Sequence, residues 1–94
     1  MDIKWIKLIK STLEHQLPTG YKAFIFGSRA QGTSRQYSDI DLGILGKTKL
    51  PTSKIAHIKN DLEDSNLPYR VDLIDFTTVT NKFKNSAMRK VINL

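Results

Sequence analysis

The chain has 94 residues, and its 15 lysines and arginines exceed its nine aspartates and glutamates by six charges. A chain of this length supports one modest hydrophobic core, so we expect residues 1–94 to fold as a single domain. The absence of cysteine excludes a disulfide framework, a thiolate nucleophile and a cysteine zinc site. No apolar run reaches the roughly 18 residues of a membrane span, and the N-terminus lacks a signal-peptide pattern. These features predict a cytoplasmic domain without membrane contact.

Apolar periodicity and turn residues predict seven elements. The first half of the chain is predicted to form a helix over 2–17 capped by Asp2, a strand over 21–26 and a helical turn over 29–31. A polar loop over 33–38 then leads into a strand over 39–45. The second half is predicted to form a helix that is capped by Thr52 or Ser53 and ends near 66, a strand over 69–76, and a helix over 78–89 with Phe83, Ala87 and Val91 on its buried side. This order predicts an α/β (α+β) fold in which helices flank a small mixed β-sheet.

Two aspartates at the start of the second predicted strand carry the first chemical signal. Side chains at positions i and i+2 of a strand point to the same face, so Asp39 and Asp41 bring two carboxylates together. Carboxylates this close repel each other unless a cation lies between them. Hard divalent ions such as Mg²⁺ bind such oxygen ligands and keep water positions that substrate phosphates can occupy.

The next strand offers two candidates for a third carboxylate. Asp72 shares a face with Ile74 and Phe76, whereas Asp75 follows Val71 and Leu73, and alternation alone does not decide which face meets the aspartate pair. Asp75 lies nearer the end of the strand, where we expect a charged residue to need no partner. We therefore favour Asp72, which would complete a site for two metal ions.

Gly27 and Ser28 follow the first predicted strand and form the other half of the candidate site. Glycine after a strand allows the backbone to approach a ligand closely. The amide and hydroxyl of Ser28 would face a phosphate if this residue opens a helical turn. An ordinary turn between a strand and a helix, capped by Ser28, is the alternative interpretation.

Three segments, FIFGSRAQG (24–32), SDIDL (38–42) and RVDLIDF (70–76), closely resemble the minimal nucleotidyltransferase (MNT) family. This family lies within the polymerase-β-like nucleotidyltransferase superfamily, so the resemblance implies that fold. Its members transfer a nucleoside monophosphate from an NTP, usually ATP, to a hydroxyl and release pyrophosphate. Many resemble antitoxins encoded beside an all-helical HEPN toxin, a tyrosine of which they modify with AMP.

The resemblance also implies roles for individual residues. The glycine and serine of the family motif fall on Gly27 and Ser28, and its three carboxylates, which are catalytic and bind metal, fall on the residues Asp39, Asp41 and Asp72. Arg29 would assist by contacting a phosphate, with a salt bridge as the alternative. Gln31 stands where many members carry a second arginine.

Our first functional hypothesis is therefore an adenylyltransferase that uses two Mg²⁺ ions, with Mn²⁺ as the alternative ion. Asp39 and Asp41 would hold the metal that bridges the triphosphate, and Asp72 would bind the second metal and help to activate the acceptor hydroxyl. A non-catalytic antitoxin-type module that neutralises a partner protein is the alternative function. Nucleic-acid binding is disfavoured because no surface of interleaved aromatic and basic residues accompanies the positive charge.

Overall fold

The computed structural model describes residues 2–32 and 39–94. In chain order the elements of these residues are α1 (Ile3–Glu14), β1 (Lys22–Phe26), α2 (Ser28–Gln31), β2 (Ile40–Leu45), α3 (Thr52–Glu63), β3 (Val71–Asp75), α4 (Asn81–Ala87) and β4 (Ile92–Asn93). The polar loop predicted over residues 33–38 lies outside the described residues. Within the described ranges, no helix has both the length and the apolar character needed to cross a membrane.

The strands form one mixed sheet in the order β3-β2-β1-β4, which confirms the predicted sheet class. β2 pairs in parallel with β3 and antiparallel with β1, and β4 pairs antiparallel with the outer side of β1. The register aligns Asp41 with Phe26 on one side and with Asp72 on the other. These three residues form a row across the sheet where β1 ends and where β2 and β3 begin.

One face of the sheet packs against α1 and α3 and carries the larger hydrophobic core. Fully or almost fully buried side chains from strands and helices meet there: Ile25, Ile40, Leu42, Ile44, Ile9, Leu13, Ile58 and Leu62. Burying an aliphatic side chain of this size contributes about 1.5–3 kcal/mol, so this layer supplies much of the stability. The predicted Asp2 cap of α1 is confirmed, because its carboxylate accepts a hydrogen bond of 2.9 Å from the Lys4 amide.

The opposite face carries an aromatic cluster and the row that contains Asp41. The rings of Phe24 and Phe26 each lie 5.0 Å from the ring of Phe76, centroid to centroid, in edge-on geometry. Gly43 lies directly beneath them, and a Cβ at that position would be 2.5 Å from the Phe24 ring and 2.8 Å from the Phe76 ring. The missing side chain therefore lets the aromatic rings rest on the sheet.

The structure corrects three details of the sequence interpretation. The N-cap of α3 is Pro51, not Thr52 or Ser53, and no side chain caps this helix. The last helix is shorter than predicted and begins after Thr80, whose side chain accepts a hydrogen bond from the Phe83 amide. Phe83 stacks on the Phe76 ring at 5.5 Å but remains 42% exposed, so its predicted place on a buried side is wrong.

The short strand β4 has no counterpart among the predicted elements. Two residues are too few to show an alternating pattern, and the strand exists because Ile92 and Asn93 pair with Ile25 and Phe24 of β1. This pairing covers the edge of β1 on the side away from β2.

Candidate functional site

Three carboxylates meet at the end of the sheet where β2 and β3 begin. Asp41 and Asp72 are direct neighbours in the parallel register, and adjacent strands lie about 4.8 Å apart. Asp39 precedes β2 by one residue and is exposed, as is Asp72, whereas Asp41 is half-buried. The chain therefore brings together the three aspartates that were predicted as catalytic and metal-binding residues.

The electrostatics of Asp41 reflect this crowding. Burial raises the pKa of Asp41 above its ordinary value, and the negative charges of Asp72 and Asp39 raise it further. Each of these causes disfavours the ionised form of the Asp41 carboxylate. A bound cation between the carboxylates would relieve both the repulsion and the cost of burial.

Gly27 lies against the Asp41 side chain at the junction of β1 and α2. Its φ of +72° is a backbone conformation that side-chain-bearing residues rarely adopt. A Cβ at this position would overlap Oδ2 of Asp41 and lie 3.3 Å from its Cγ. The Gly27 carbonyl accepts hydrogen bonds of 3.1 Å from the amides of Ala30 and Gln31, which closes the first turn of α2. Both the backbone angle and the lack of a side chain are therefore required here.

Ser28 and Arg29 open the predicted helical turn, which the structure confirms as α2. Ser28 is the first helical residue of α2, and the N-cap residue, Gly27, has no side chain that could cap the helix. The guanidinium carbon of Arg29 lies 4.3 Å from the centroid of the Tyr69 ring. This cation–π contact links α2 to the segment before β3, and Tyr69 is a neighbour of the site that the sequence interpretation did not single out.

Asp75 lies on the opposite face from Asp41, and the expectation that it needs no partner is wrong. Its side chain is buried and accepts hydrogen bonds from the amides of Leu50 at 2.8 Å and Thr77 at 2.9 Å. Burial raises the pKa of Asp75, but the hydrogen bonds from Thr77 and Leu50 and the charge of Lys49 outweigh it, so the net shift is downward. This carboxylate stabilises the loops that follow β2 and β3.

Within residues 2–32 and 39–94, no three side chains of His, Cys, Asp or Glu are placed so that they could hold a metal ion by themselves. Asp39, Asp41 and Asp72 are near enough to interact electrostatically but do not form a closed set of ligands.

The family model described as polymerase beta, nucleotidyltransferase, matches residues 7–94. The chain belongs to this nucleotidyltransferase family. A protein of Haemophilus influenzae named "Probable protein adenylyltransferase MntA" is 38% identical over 92 residues, which cover 97% of this chain and 80% of that protein. The chain is therefore a nucleotidyltransferase, which is a class of enzyme.

Two solved structures are similar to this nucleotidyltransferase. One chain of a toxin–antitoxin complex crystallised with AMP-PNP is 27% identical, with a TM-score of 0.77, over 95% of this chain and 70% of that chain. One chain of a complex between a tri-AMPylated HEPN toxin of Shewanella oneidensis and an MNT antitoxin has a TM-score of 0.69 at 23% identity, over 97% of this chain and 68% of that chain. The second likeness is one of fold.

Proposed function

We propose that this nucleotidyltransferase transfers AMP from ATP to a hydroxyl group on a partner protein and releases pyrophosphate. The observation that carries the proposal is the row of carboxylates at the start of β2 and β3, with Gly27 packed on Asp41. Three acidic side chains that interact at one end of a sheet, beside the turn between β1 and α2, suit the transfer of a nucleotidyl group.

Mg²⁺ is the cation that we assign to this site, with Mn²⁺ as the alternative. Asp39 and Asp41 would hold the ion that also binds the triphosphate, and Asp72 would hold a second ion. Bound metal would neutralise the charge of the triphosphate and of the departing pyrophosphate. The raised pKa of Asp41 supports this assignment, because the crowding of its carboxylate is what a bound cation would relieve.

The protein residues position the reacting groups. The acceptor oxygen forms a bond to the α-phosphorus of ATP, while the bond from this phosphorus to the oxygen that bridges to the β-phosphate breaks. Asp72, which is exposed at the edge of the row, would accept the hydroxyl proton or orient the hydroxyl as a ligand. Ser28 and Arg29, at the start of α2, would bind the departing pyrophosphate, and Gly27 would allow its close approach.

The partner that we propose is an all-helical HEPN toxin, with a tyrosine as the acceptor. Two complexes that each include a chain similar to this one support this choice. The toxin–antitoxin complex with AMP-PNP supports the nucleotide, and the complex that contains a tri-AMPylated HEPN toxin supports the class of acceptor. The named adenylyltransferase activity of the Haemophilus influenzae relative supports transfer to protein. ATP and the partner would meet this enzyme in the cytoplasm.

Incubation of the HEPN partner with ATP, Mg²⁺ and this protein, followed by intact-mass analysis, tests the proposal. We expect the partner to gain the mass of one or more AMP groups, which peptide mapping should locate on tyrosine, and we expect Asp41→Asn to abolish the gain. Asp75→Asn is the matched control, because it changes an aspartate of the same sheet on the opposite face. A partner that is inhibited but unmodified by the wild type would instead favour the non-catalytic binding module.

A further inference from the structure

The ring of Tyr69 is part of a ladder of cationic and aromatic groups beside the candidate site. The Lys4 ammonium lies 4.4 Å from the centroid of Trp5, and the Trp5 ring meets the Tyr69 ring edge-on at 6.4 Å with an interplanar angle of 87°. The Arg29 guanidinium covers the Tyr69 ring at 4.3 Å. Tyr69 is thus held by α1 and in turn supports a side chain of α2.

The backbone around Tyr69 is fixed to the same end of the sheet. The amide of Ile40, which stands between Asp39 and Asp41, donates a hydrogen bond of 2.9 Å to the carbonyl of Arg70. Tyr69 is therefore one residue from a point that is bonded to the start of β2, and three residues before Asp72. The Arg29 contact consequently joins the turn that follows β1 to the segment that leads into β3.

The orientation of α2 depends on the packing of its side chains. α2 contains only four residues, Ser28–Gln31, and its N-cap is a glycine without a side chain. Ala30 is its buried side chain, whereas Arg29 is half-buried with its Nε atom shielded from solvent. A helix this short gains little from its own hydrogen bonds, so the packing of these side chains sets its direction.

We propose that Tyr69 is a positioning residue that holds the Arg29 guanidinium, and through it α2, in the orientation that binds the departing pyrophosphate. This inference rests on the proposed function, since it assigns a support to one of its phosphate-binding residues. The ring carries the contact through its π-face, so the Tyr69 hydroxyl is dispensable.

The first test measures the contact itself by NMR. A guanidinium above an aromatic ring experiences a ring-current shift, so we expect the Arg29 Nε–H and side-chain methylene protons to resonate upfield of their ordinary positions. The shift should persist in Tyr69→Phe and vanish in Tyr69→Leu. An unshifted Arg29 in the wild-type protein would overturn the inference without any variant.

The second test measures ligand binding by calorimetry, with Mg²⁺–pyrophosphate and AMP as separate probes. Tyr69→Leu should weaken Mg²⁺–pyrophosphate binding by about 2- to 30-fold, the range that corresponds to the free energy of a cation–π contact. In an assay of AMP transfer, kcat/KM for ATP should fall by a similar factor. AMP lacks the β- and γ-phosphates, so its affinity should not change. In an Arg29→Met background, Tyr69→Leu should have little further effect, because the supported group is gone.

Tyr21→Leu is the control for a merely structural effect. Tyr21 is also half-buried, but it packs on Gly46 at the opposite end of the sheet. We expect this variant to lose thermal stability without losing affinity for pyrophosphate. If Tyr69→Leu does not fold, Tyr69→Met serves in its place, since its flexible side chain fills space without a π-face.

The outcomes separate this inference from the proposed function. A wild-type protein that transfers AMP, together with a folded Tyr69→Leu variant of unchanged pyrophosphate affinity, would overturn the role of Tyr69 alone. An equal loss in Tyr69→Phe and Tyr69→Leu would also overturn it, because the ring would not be what matters. A wild-type protein that neither transfers AMP nor binds Mg²⁺–pyrophosphate would overturn both.

Discussion

Asp41 and Asp75 belong to the same small sheet, but their surroundings shift the pKa values of the two side chains in opposite directions. Asp41 faces two other carboxylates, and its pKa is raised by burial and by their charge. Asp75 lies on the other face, where two backbone amides donate to it and its pKa is lowered. Among the described residues, the fold therefore supplies hydrogen-bond donors to Asp75, whereas it places other carboxylates beside Asp41.

The largest expected effect that separates the two aspartates is on activity. Asp41→Asn should reduce AMP transfer by about 10²- to 10³-fold or more, because the variant lacks the carboxylate that we propose positions the reacting phosphate. Asp75→Asn, assayed well below its unfolding temperature, should keep most of its activity. Transfer rates measured with a partner protein and saturating ATP check the pair. Equal losses of AMP-transfer rate in both variants would contradict a special role of Asp41 in activity.

The second effect concerns the backbone that contacts Asp41. Gly27→Ala should cost about 2–4 kcal/mol of unfolding free energy, since a positive φ and overlap with the Asp41 carboxylate act together. Gly32→Ala is the comparison, because a Cβ added at Gly32 would meet no atom of the described residues within 4 Å. Its backbone (φ 76°, ψ 15°) is left-handed helical, whereas that of Gly27 (φ 72°, ψ −151°) lies in a region that is essentially restricted to glycine. Gly32→Ala should cost about 1 kcal/mol. Urea denaturation measures both, and indistinguishable costs would refute the combined backbone and steric requirement for glycine at position 27.

The third effect is the stabilising role of Asp75. Asp75→Asn should lower the free energy of unfolding by about 1–3 kcal/mol, because charge-assisted hydrogen bonds from Leu50 and Thr77 are weakened. The folded-state pKa is below the unfolded value, so the native carboxylate stabilises the fold above that value, and the stability is lost as the pH falls through the folded pKa. The difference between wild type and variant should therefore shrink in acid. A pH-independent difference would contradict this explanation.

The smallest expected effect is a gain in stability when Asp41 is replaced, whereas the replacements of Gly27 and Asp75 lower stability. The folded pKa of Asp41 lies above its unfolded value near 3.8, so its ionised form destabilises the metal-free protein as the pH rises through the folded pKa. Asp41→Asn should then raise the thermal midpoint at pH 7 by roughly 1–5 °C without metal. Below pH 3.8 the gain should disappear, since the wild-type side chain is protonated in both states. Thermal scans in the presence of a chelator measure this, and a lower midpoint at pH 7 would count against repulsion at the site.

Much of the fold and the clustering of the site were accessible from the sequence, for reasons that specific residues illustrate. The alternation along β3 depends only on the period of a strand, so the residues that share a face of β3 could be inferred. Asp39 lies one residue before β2, so the strand period does not place it. Which face of β3 meets Asp41 could not be derived from alternation, because it depends on the register that aligns Asp41 with Asp72.

The features that escaped prediction all depend on contacts between distant parts of the chain. β4 exists only through its pairing with β1, and the burial of Asp75 only through the loop that brings the Leu50 amide to it. Tyr69 shows no motif of its own, and it becomes relevant only when folding places it under Arg29. Local sequence patterns do not predict such long-range contacts, whereas they do predict the period of a strand and the position of a turn.

The carboxylates around Asp41 should need a cation in order to bind the nucleotide. Calorimetric titration with ATP, in the presence of either Mg²⁺ or a chelator, tests it most directly. We expect clear binding only with Mg²⁺, because the bare carboxylates repel a triphosphate, and we expect Asp41→Asn but not Asp75→Asn to weaken the Mg²⁺-dependent binding. Equal affinity of the wild-type protein for ATP with and without Mg²⁺ would contradict the account.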